Sequence, residues 1–278
     1  FWADIENIQY LLVSILIVFF VGVIDDLLEL SPFKKLVGQV IATLIIIFLG
    51  DLKIDNMHGV LGVYDLPIWI GTLFTIFVVI VITNGFNLID GVDGLAAGIG
   101  VISSFSFGVI ALLMDQSDMA IVAFTLVGAL LGFLRYNFFP AKIFMGDTGS
   151  LVVGIILSIL AINSIRYGLV TETIKLPNKG PLLAIAILAI PLFDSLRVFV
   201  ARIIKGRHPL SAGRGHIHHA LLNLGFGHNK TSFILYLFAI SMIVFSYFLL
   251  DLNLNIGIAM LAGISFILLY IPFYLLKG

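Results

Sequence analysis

What most limits the fold of this chain is a succession of nine apolar segments. They lie at about residues 8–24, 36–50, 68–83, 95–114, 119–134, 151–165, 182–200, 232–250 and 254–276. Apolar segments in lipid must satisfy their backbone hydrogen bonds internally, and for separate segments of this length helices are the solution. Several have only 15 to 17 residues, short of the roughly 20 that cross a bilayer upright. Their flanks are expected to extend them, with Lys34 and Lys35 snorkelling into the interface. Charged residues make up 11% of the chain, against about 25% in soluble domains, and the mean hydropathy is +1.17. The expected fold is all-α, a polytopic membrane helical bundle of nine transmembrane helices. No repeat, low-complexity tract or linker divides it, so residues 1–278 read as one integral-membrane domain.

Nine spans impose an alternation of loops, and the positive-inside rule gives it a sign. One set of loops and helix ends holds Lys34, Lys35, Arg135, Lys142, Arg197, Arg202, Lys205, Arg207, Arg214, Lys230 and Lys277. The other holds Lys53, Arg166, Lys175 and Lys179, four against eleven. The eleven-residue side is expected to be cytoplasmic, with Phe1 outside. The net charge of −1 and the lack of a basic run give no support for nucleic-acid binding. Without cysteine there are no disulfides, thiolate metal sites or cysteine nucleophile. The chain opens on Phe1, with no signal-peptide pattern ahead of the first apolar run, and is expected to lack its natural beginning.

The polar clusters all fall on the side assigned as cytoplasmic, independently of the basic residues used to assign it. Asn84-Gly85-Phe86-Asn87-Leu88-Ile89-Asp90-Gly91-Val92-Asp93-Gly94-Leu95 puts two amides, two carboxylates and three glycines between apolar runs. A lone D-G-x-D-G is more often a polar turn, but here it has company. Asp25-Asp26 close the first segment, and adjacent carboxylates repel unless a cation or hydrogen bonds compensate. Lys34, Lys35 and Gln39 at the start of the second segment suit a charged lipid head group. Residues 137–150 precede a helix. In them Gly146 and Gly149 bracket Asp147, a hard ligand for Mg2+, and Ser150 occupies an expected N-cap. That helix start is expected to offer unpaired N–H groups to an anion.

Arg207 to His219 form a Gly-rich loop with His216, His218 and His219. Their spacing lacks the helical i, i+4 pattern of a zinc site, and arginine and histidine near glycines suit pyrophosphate better. Asp194 lies within the seventh segment, one turn before Arg197. An intramembrane carboxylate is a functional candidate by default, but a structural pair with Arg197 or Arg202 is at least as well supported. Together the clusters supply carboxylates for Mg2+, glycine-lined helix ends and an Arg/His loop, the equipment of phosphoryl transfer.

With these motifs the chain resembles the polyprenyl-phosphate N-acetylhexosamine-1-phosphate transferases (glycosyltransferase 4). These include the enterobacterial-antigen, teichoic-acid-linkage and phospho-MurNAc-pentapeptide enzymes. The matching motifs are G-x-I-D-D with its downstream Lys and Gln, N-x-x-N-L-I-D-G-x-D-G-L, N-x-x-P-A-x-x-F-M-G-D-x-G-S and H-x-H-H. They run in family order along nearly the whole chain.

The resemblance implies a UDP-N-acetylhexosamine donor, an undecaprenyl-phosphate acceptor, Mg2+ (with Mn2+ as a substitute) and UMP release. The setting it implies is the bacterial cytoplasmic membrane with the site on the inner face; it admits a homodimer. By analogy Asp147 is the principal metal ligand, with Asn87 second. Asp25 and Asp26 are the catalytic carboxylates, with Lys35 near the lipid phosphate. Asn137, Phe144, Asp90, Gly91 and Asp93 map onto the uridine pocket, Phe144 stacking on the base, and Arg214, His216, His218 and His219 onto the pyrophosphate site. The H-x-H-H form resembles the GlcNAc-1-phosphate branch; the phospho-MurNAc-pentapeptide branch is the alternative.

Two departures from the family pattern stand out. Members usually begin with two more helices, for ten or eleven in all, and Gly213 stands where an acidic residue often precedes the loop arginine. Outside the resemblance, two rivals are a carboxylate-based transporter and an intramembrane metallohydrolase. The first is disfavoured because transport sites lie near the midplane, the second because no H-E-x-x-H helix is present.

Overall fold

A computed structural model describes residues 8–167, 169–170, 175–176, 178–204, 206 and 215–276. The helices are α1 (Ile8–Leu28), α2 (Pro32–Phe48), α3 (Ile68–Ile89), α4 (Leu95–Leu113), α5 (Ser117–Asn137), α6 (Gly146–Tyr167), α7 (Gly180–Ile187), α8 (Ala189–Ile204), α9 (Ile217–Asn223), α10 (His228–Phe248) and α11 (Leu254–Leu275). Seven of them (α1, α3, α4, α5, α6, α10 and α11) are long and apolar enough to cross a membrane. α2, with 17 residues, reaches only about 26 Å at 1.5 Å per residue.

The seventh apolar segment is not one straight span. α7 and α8 meet at a 77° bend. Pro191 has no N–H to donate to the carbonyl of Ile187, so a continuous helix would lose a bond there. Placed in the first turn of a new helix, the same proline costs nothing, since that turn's N–H groups have no intrahelical partner. Among the described residues, then, seven helices are long and apolar enough to span, or eight with the bent pair counted as one, against the nine expected.

Two small antiparallel hairpins add to the helices: β1 (Asn56–Val60) with β2 (Val63–Asp65), and β3 (Leu169–Val170) with β4 (Lys175–Leu176). The first turns through Leu61 and Gly62, both at positive φ (53° and 79°), as two-residue hairpin turns require. It docks on α11, where Asn255 accepts from Leu61 N–H at 2.7 Å and donates to the Gly59 carbonyl at 2.9 Å.

α6 is the central helix, with fourteen buried residues. Glycines let its neighbours approach closely. A Cβ on Gly22 of α1 would stand 2.5 Å from Thr148 Cα, and one on Gly154 of α6 would stand 2.7 Å from Thr83 Cα on α3. Small residues drive such helix packing in lipid, where hydrophobicity alone cannot. At the end of the bundle away from the hairpin, these approaches bring together the C-termini of α1 and α3 and the N-termini of α2 and α6.

Candidate active site

The helix of α1 runs past its apolar stretch to Leu28, so Asp25 and Asp26 sit in its last turns. Consecutive helical residues point about 100° apart, and the two carboxylates find different partners. Asp25 is buried, accepts from Leu30 N–H at 2.7 Å and pairs with the Lys35 ammonium, which also binds Asp147 Oδ2. Asp26 turns to the start of α6. Its Oδ1 accepts from Asp147 N–H at 2.8 Å, and its Oδ2 accepts from the Thr148 N–H at 3.0 Å and from the Thr148 hydroxyl.

Asp26 is thus the N-terminal cap of α6, supplied by another helix. The α6 N–H groups expected to await an anion are already bound to it. Gly146, at φ 63°, allows the approach: a Cβ there would lie 2.9 Å from Asp26 Oδ2. Ser150 is not the N-cap its sequence position implies; it lies inside α6 and donates back to the Gly146 carbonyl at 2.8 Å.

α3 likewise continues through the asparagine motif to Ile89, which puts Asn84 and Asn87 one turn apart on its surface. Asn84 donates to Gln39 Oε1 at 2.8 Å, joining α3 to α2 one turn inward of the site. Asn87 donates to Asp147 Oδ1 at 2.9 Å and to the Ser150 hydroxyl at 2.8 Å. Asp25, Lys35, Asn87 and Asp147, from α1, α2, α3 and α6, therefore converge on one point. Asp90, just past α3, pairs with no charged side chain among the described residues. Burial, with the charges of Asp147 and Asp26 nearby, pushes its carboxyl up to about 6.

The D-G-x-D-G turn is clamped between the 138–145 loop and α10. Gly94 at φ 75° donates to Asn137 Oδ1 at 3.1 Å, and Asn137 donates to the Ile143 carbonyl at 2.8 Å. Asp93 accepts from Ala141 N–H at 3.1 Å and pairs with His228 at 3.2 Å. The hydrogen bonds of Asn137 and Asp93 are thus spent on shaping this loop. Phe144, 78% exposed, presents an open ring.

Two of the three loop histidines are buried. His216 and His218 are 4% and 1% exposed, with parallel rings 5.8 Å apart. His218 packs on Gly91, where a Cβ would lie 2.7 Å from its Nε2. Burial, with His219 close by, lowers its pKa to about 4, so the ring is neutral at pH 7. His219 lies against His218 at 4.1 Å. Arg214 lies outside the described residues.

Among the described residues no three His, Asp or Glu side chains are grouped to enclose a metal ion. This is compatible with Mg2+, which binds through one or two carboxylates and takes its other oxygens from water and substrate phosphates.

Residues 8–165 match the sequence pattern of glycosyl transferase family 4. The chain belongs to that family. Among family relatives, a probable undecaprenyl-phosphate N-acetylglucosaminyl 1-phosphate transferase of Bacillus subtilis is 36% identical over 239 residues, covering 84% of this chain and 64% of the relative. A decaprenyl-phosphate N-acetylglucosaminephosphotransferase of Mycolicibacterium smegmatis is 34% identical, covering 78% of this chain and 57% of the relative. An undecaprenyl-phosphate alpha-N-acetylglucosaminyl 1-phosphate transferase of Escherichia coli is 30% identical, covering 74% and 56%. The chain therefore spans between about half and two thirds of these family members' length.

The main contributors that local sequence did not mark are Thr148, His228 and the cap formed by Asp26. Asp194 was visible as an intramembrane carboxylate, but its partners were not fixed. It accepts from Arg197 at 2.7 Å, from His216 Nδ1 at 2.8 Å and from Ile217 N–H at 3.0 Å. Arg197, one of the two arginines expected as its structural pair, binds it.

Proposed function

We propose that this chain carries the catalytic core of a GlcNAc-1-phosphate transferase. It would move the sugar phosphate of UDP-GlcNAc onto undecaprenyl phosphate and release UMP at the cytoplasmic face of a bacterial inner membrane. The observation that carries this reading is the meeting of Asp25, Lys35, Asn87 and Asp147 from four helices at one end of the bundle. Family membership and the names of its relatives support the substrate pair.

Asp147 would hold Mg2+ (or Mn2+), with Asn87 joining it once its amide, which now donates to Asp147, turns its oxygen to the ion; the ion would supply charge neutralisation at the donor pyrophosphate. Lys35 holds the acceptor phosphate beside Asp25. A phosphate monoester has its second pKa near 6, so the acceptor is mostly dianionic at pH 7 and hardly needs a base. Its oxygen forms a bond to the sugar-bearing β-phosphorus while the bond from that phosphorus to the bridging oxygen breaks, and the electron pair leaves with UMP. Asp25 positions the acceptor and balances Lys35. Asp26 holds the start of α6, and so Asp147, in place. Phe144 would stack on uracil above the turn shaped by Asp90, Gly91, Asp93 and Asn137, and His219, with Arg214 as the resemblance implies, would bind the pyrophosphate.

The test is UMP release by the full-length protein given UDP-GlcNAc, undecaprenyl phosphate and Mg2+. The expected result is UMP formed only when both substrates are present, and none from Asp147→Asn. UMP release independent of the lipid, or release only with UDP-MurNAc-pentapeptide, would overturn this assignment.

A further inference from the structure

Asp194 is fully buried on α8 and lies outside the group of residues around Asp147. An ionised carboxylate so placed is costly unless every oxygen is satisfied. Its partners meet that need and share a direction. Arg197 binds it, lies over the ring of Phe273 on α11 at 4.0 Å, and also donates to the Gly215 carbonyl. Ile217 N–H, the first of α9, donates to Oδ1, so Asp194 caps α9 from another helix. Oδ2 faces His216 Nδ1, which fixes that nitrogen as the one bearing hydrogen. The His216 ring then lies parallel to His218, and His218 rests on the bare Cα of Gly91.

We propose that Asp194 is a positioning residue for donor binding, acting through the stack of His216 and His218 on the Gly91 turn. This rests on the assignment of that turn to the nucleotide pocket. The line of contact joins the bend between α7 and α8 to the D-G-x-D-G turn, and each link is a hydrogen bond or a packed ring. His216 and His218 are in this account struts behind the pocket, and His219 is the partly exposed member of the motif.

Asp194→Asn separates positioning from general support, because the amide matches the carboxylate in shape. It keeps an acceptor for Ile217 N–H but sets an N–H donor against His216 Nδ1, which turns the ring to the Nε2–H tautomer. An analogous change in a Ser-His-Asp triad leaves geometry intact and selects the wrong tautomer.

In full-length protein the expected result is a rise of about tenfold or more in the KM for UDP-GlcNAc, with the KM for undecaprenyl phosphate within about twofold. His216→Gln should give a similar rise, and the double variant no more than either single one. A uniform fall in kcat with both KM values unchanged, or multiplicative losses in the double variant, would overturn the proposal. 15N-histidine spectra supply a readout that does not depend on turnover. They should show Nδ1–H at His216 in wild type and Nε2–H in Asp194→Asn; an unchanged tautomer refutes the link even if the protein uses a different donor sugar.

Discussion

Replacing Asp26 by asparagine tests whether this residue acts on the substrate or on α6. Its two oxygens accept three hydrogen bonds, two from backbone N–H groups in the first turn and one from the Thr148 hydroxyl. Asparagine keeps one acceptor and turns a donor toward the other N–H group. A lost N-cap costs about 0.5–2 kcal/mol, and the lost charge at the positive helix end about 0.3–1 kcal/mol. Because Asp26 is exposed, the sum belongs toward the lower part of that range, about 1–2 kcal/mol. Most of it falls on the turn that carries Asp147.

The expected result is therefore a Tm lowered by a few degrees and a higher Mg2+ concentration for half-maximal UMP release. The loss should not be recovered by raising the pH. Thr148→Val, which removes only the hydroxyl bond, should show the same two effects at about half the size. The assays are thermal unfolding in detergent, Mg2+ titration and pH–rate profiles. Activity of Asp26→Asn that climbs steeply above about pH 7, with Tm and Mg2+ requirement unchanged, would refute the capping role and restore proton transfer. Asp25→Asn, examined the same way, should stay low at every pH and raise the KM for undecaprenyl phosphate.

Three further outcomes follow from the same geometry. Lys35 binds both Asp25 and Asp147 and so competes with a cation; Lys35→Gln should lower the Mg2+ needed for half-maximal rate while raising the lipid KM, as read by crossed titrations. Asp90, with a pKa of about 6 against 3.8 unfolded, favours the folded state fully below about pH 4 and loses that contribution as pH rises to 6. Asp90→Asn should therefore unfold at a higher temperature than wild type at pH 7.5, with the difference vanishing near pH 4, while donor binding weakens. A side chain at Gly22 would press on the backbone of Thr148 at 2.5 Å, so Gly22→Val should abolish UMP release and lower Tm. An active, stable Gly22→Val protein would contradict the close packing of α1 and α6.

The apolar segments and the four motifs could be read directly, because hydropathy and short spacings are local properties. So could the grouping of Asp25, Lys35, Asn87 and Asp147, once loop alternation placed them on one face. The caps could not be read locally. Ser150 occupies a good N-cap position by spacing, yet α6 starts four residues earlier because Asp26, 121 positions away, supplies the acceptors. Asp194 caps α9 in the same way across 23 positions. Residues 182–200 read as one span because hydropathy runs unbroken across the bend between α7 and α8, and the close approach of Gly85 to the Pro191 carbonyl (2.8 Å from a Cβ there) is a tertiary fact. The first hairpin is not legible locally because Leu61 takes a positive φ that its side chain does not advertise.

The most direct test of the central claim uses Mn2+ in place of Mg2+ and electron paramagnetic resonance on the full-length protein with UDP-GlcNAc. The account predicts one bound Mn2+ with 31P couplings from the nucleotide, lost in Asp147→Ala. Mn2+ that binds equally well without Asp147, or that shows no coupling to the donor phosphates, would contradict it.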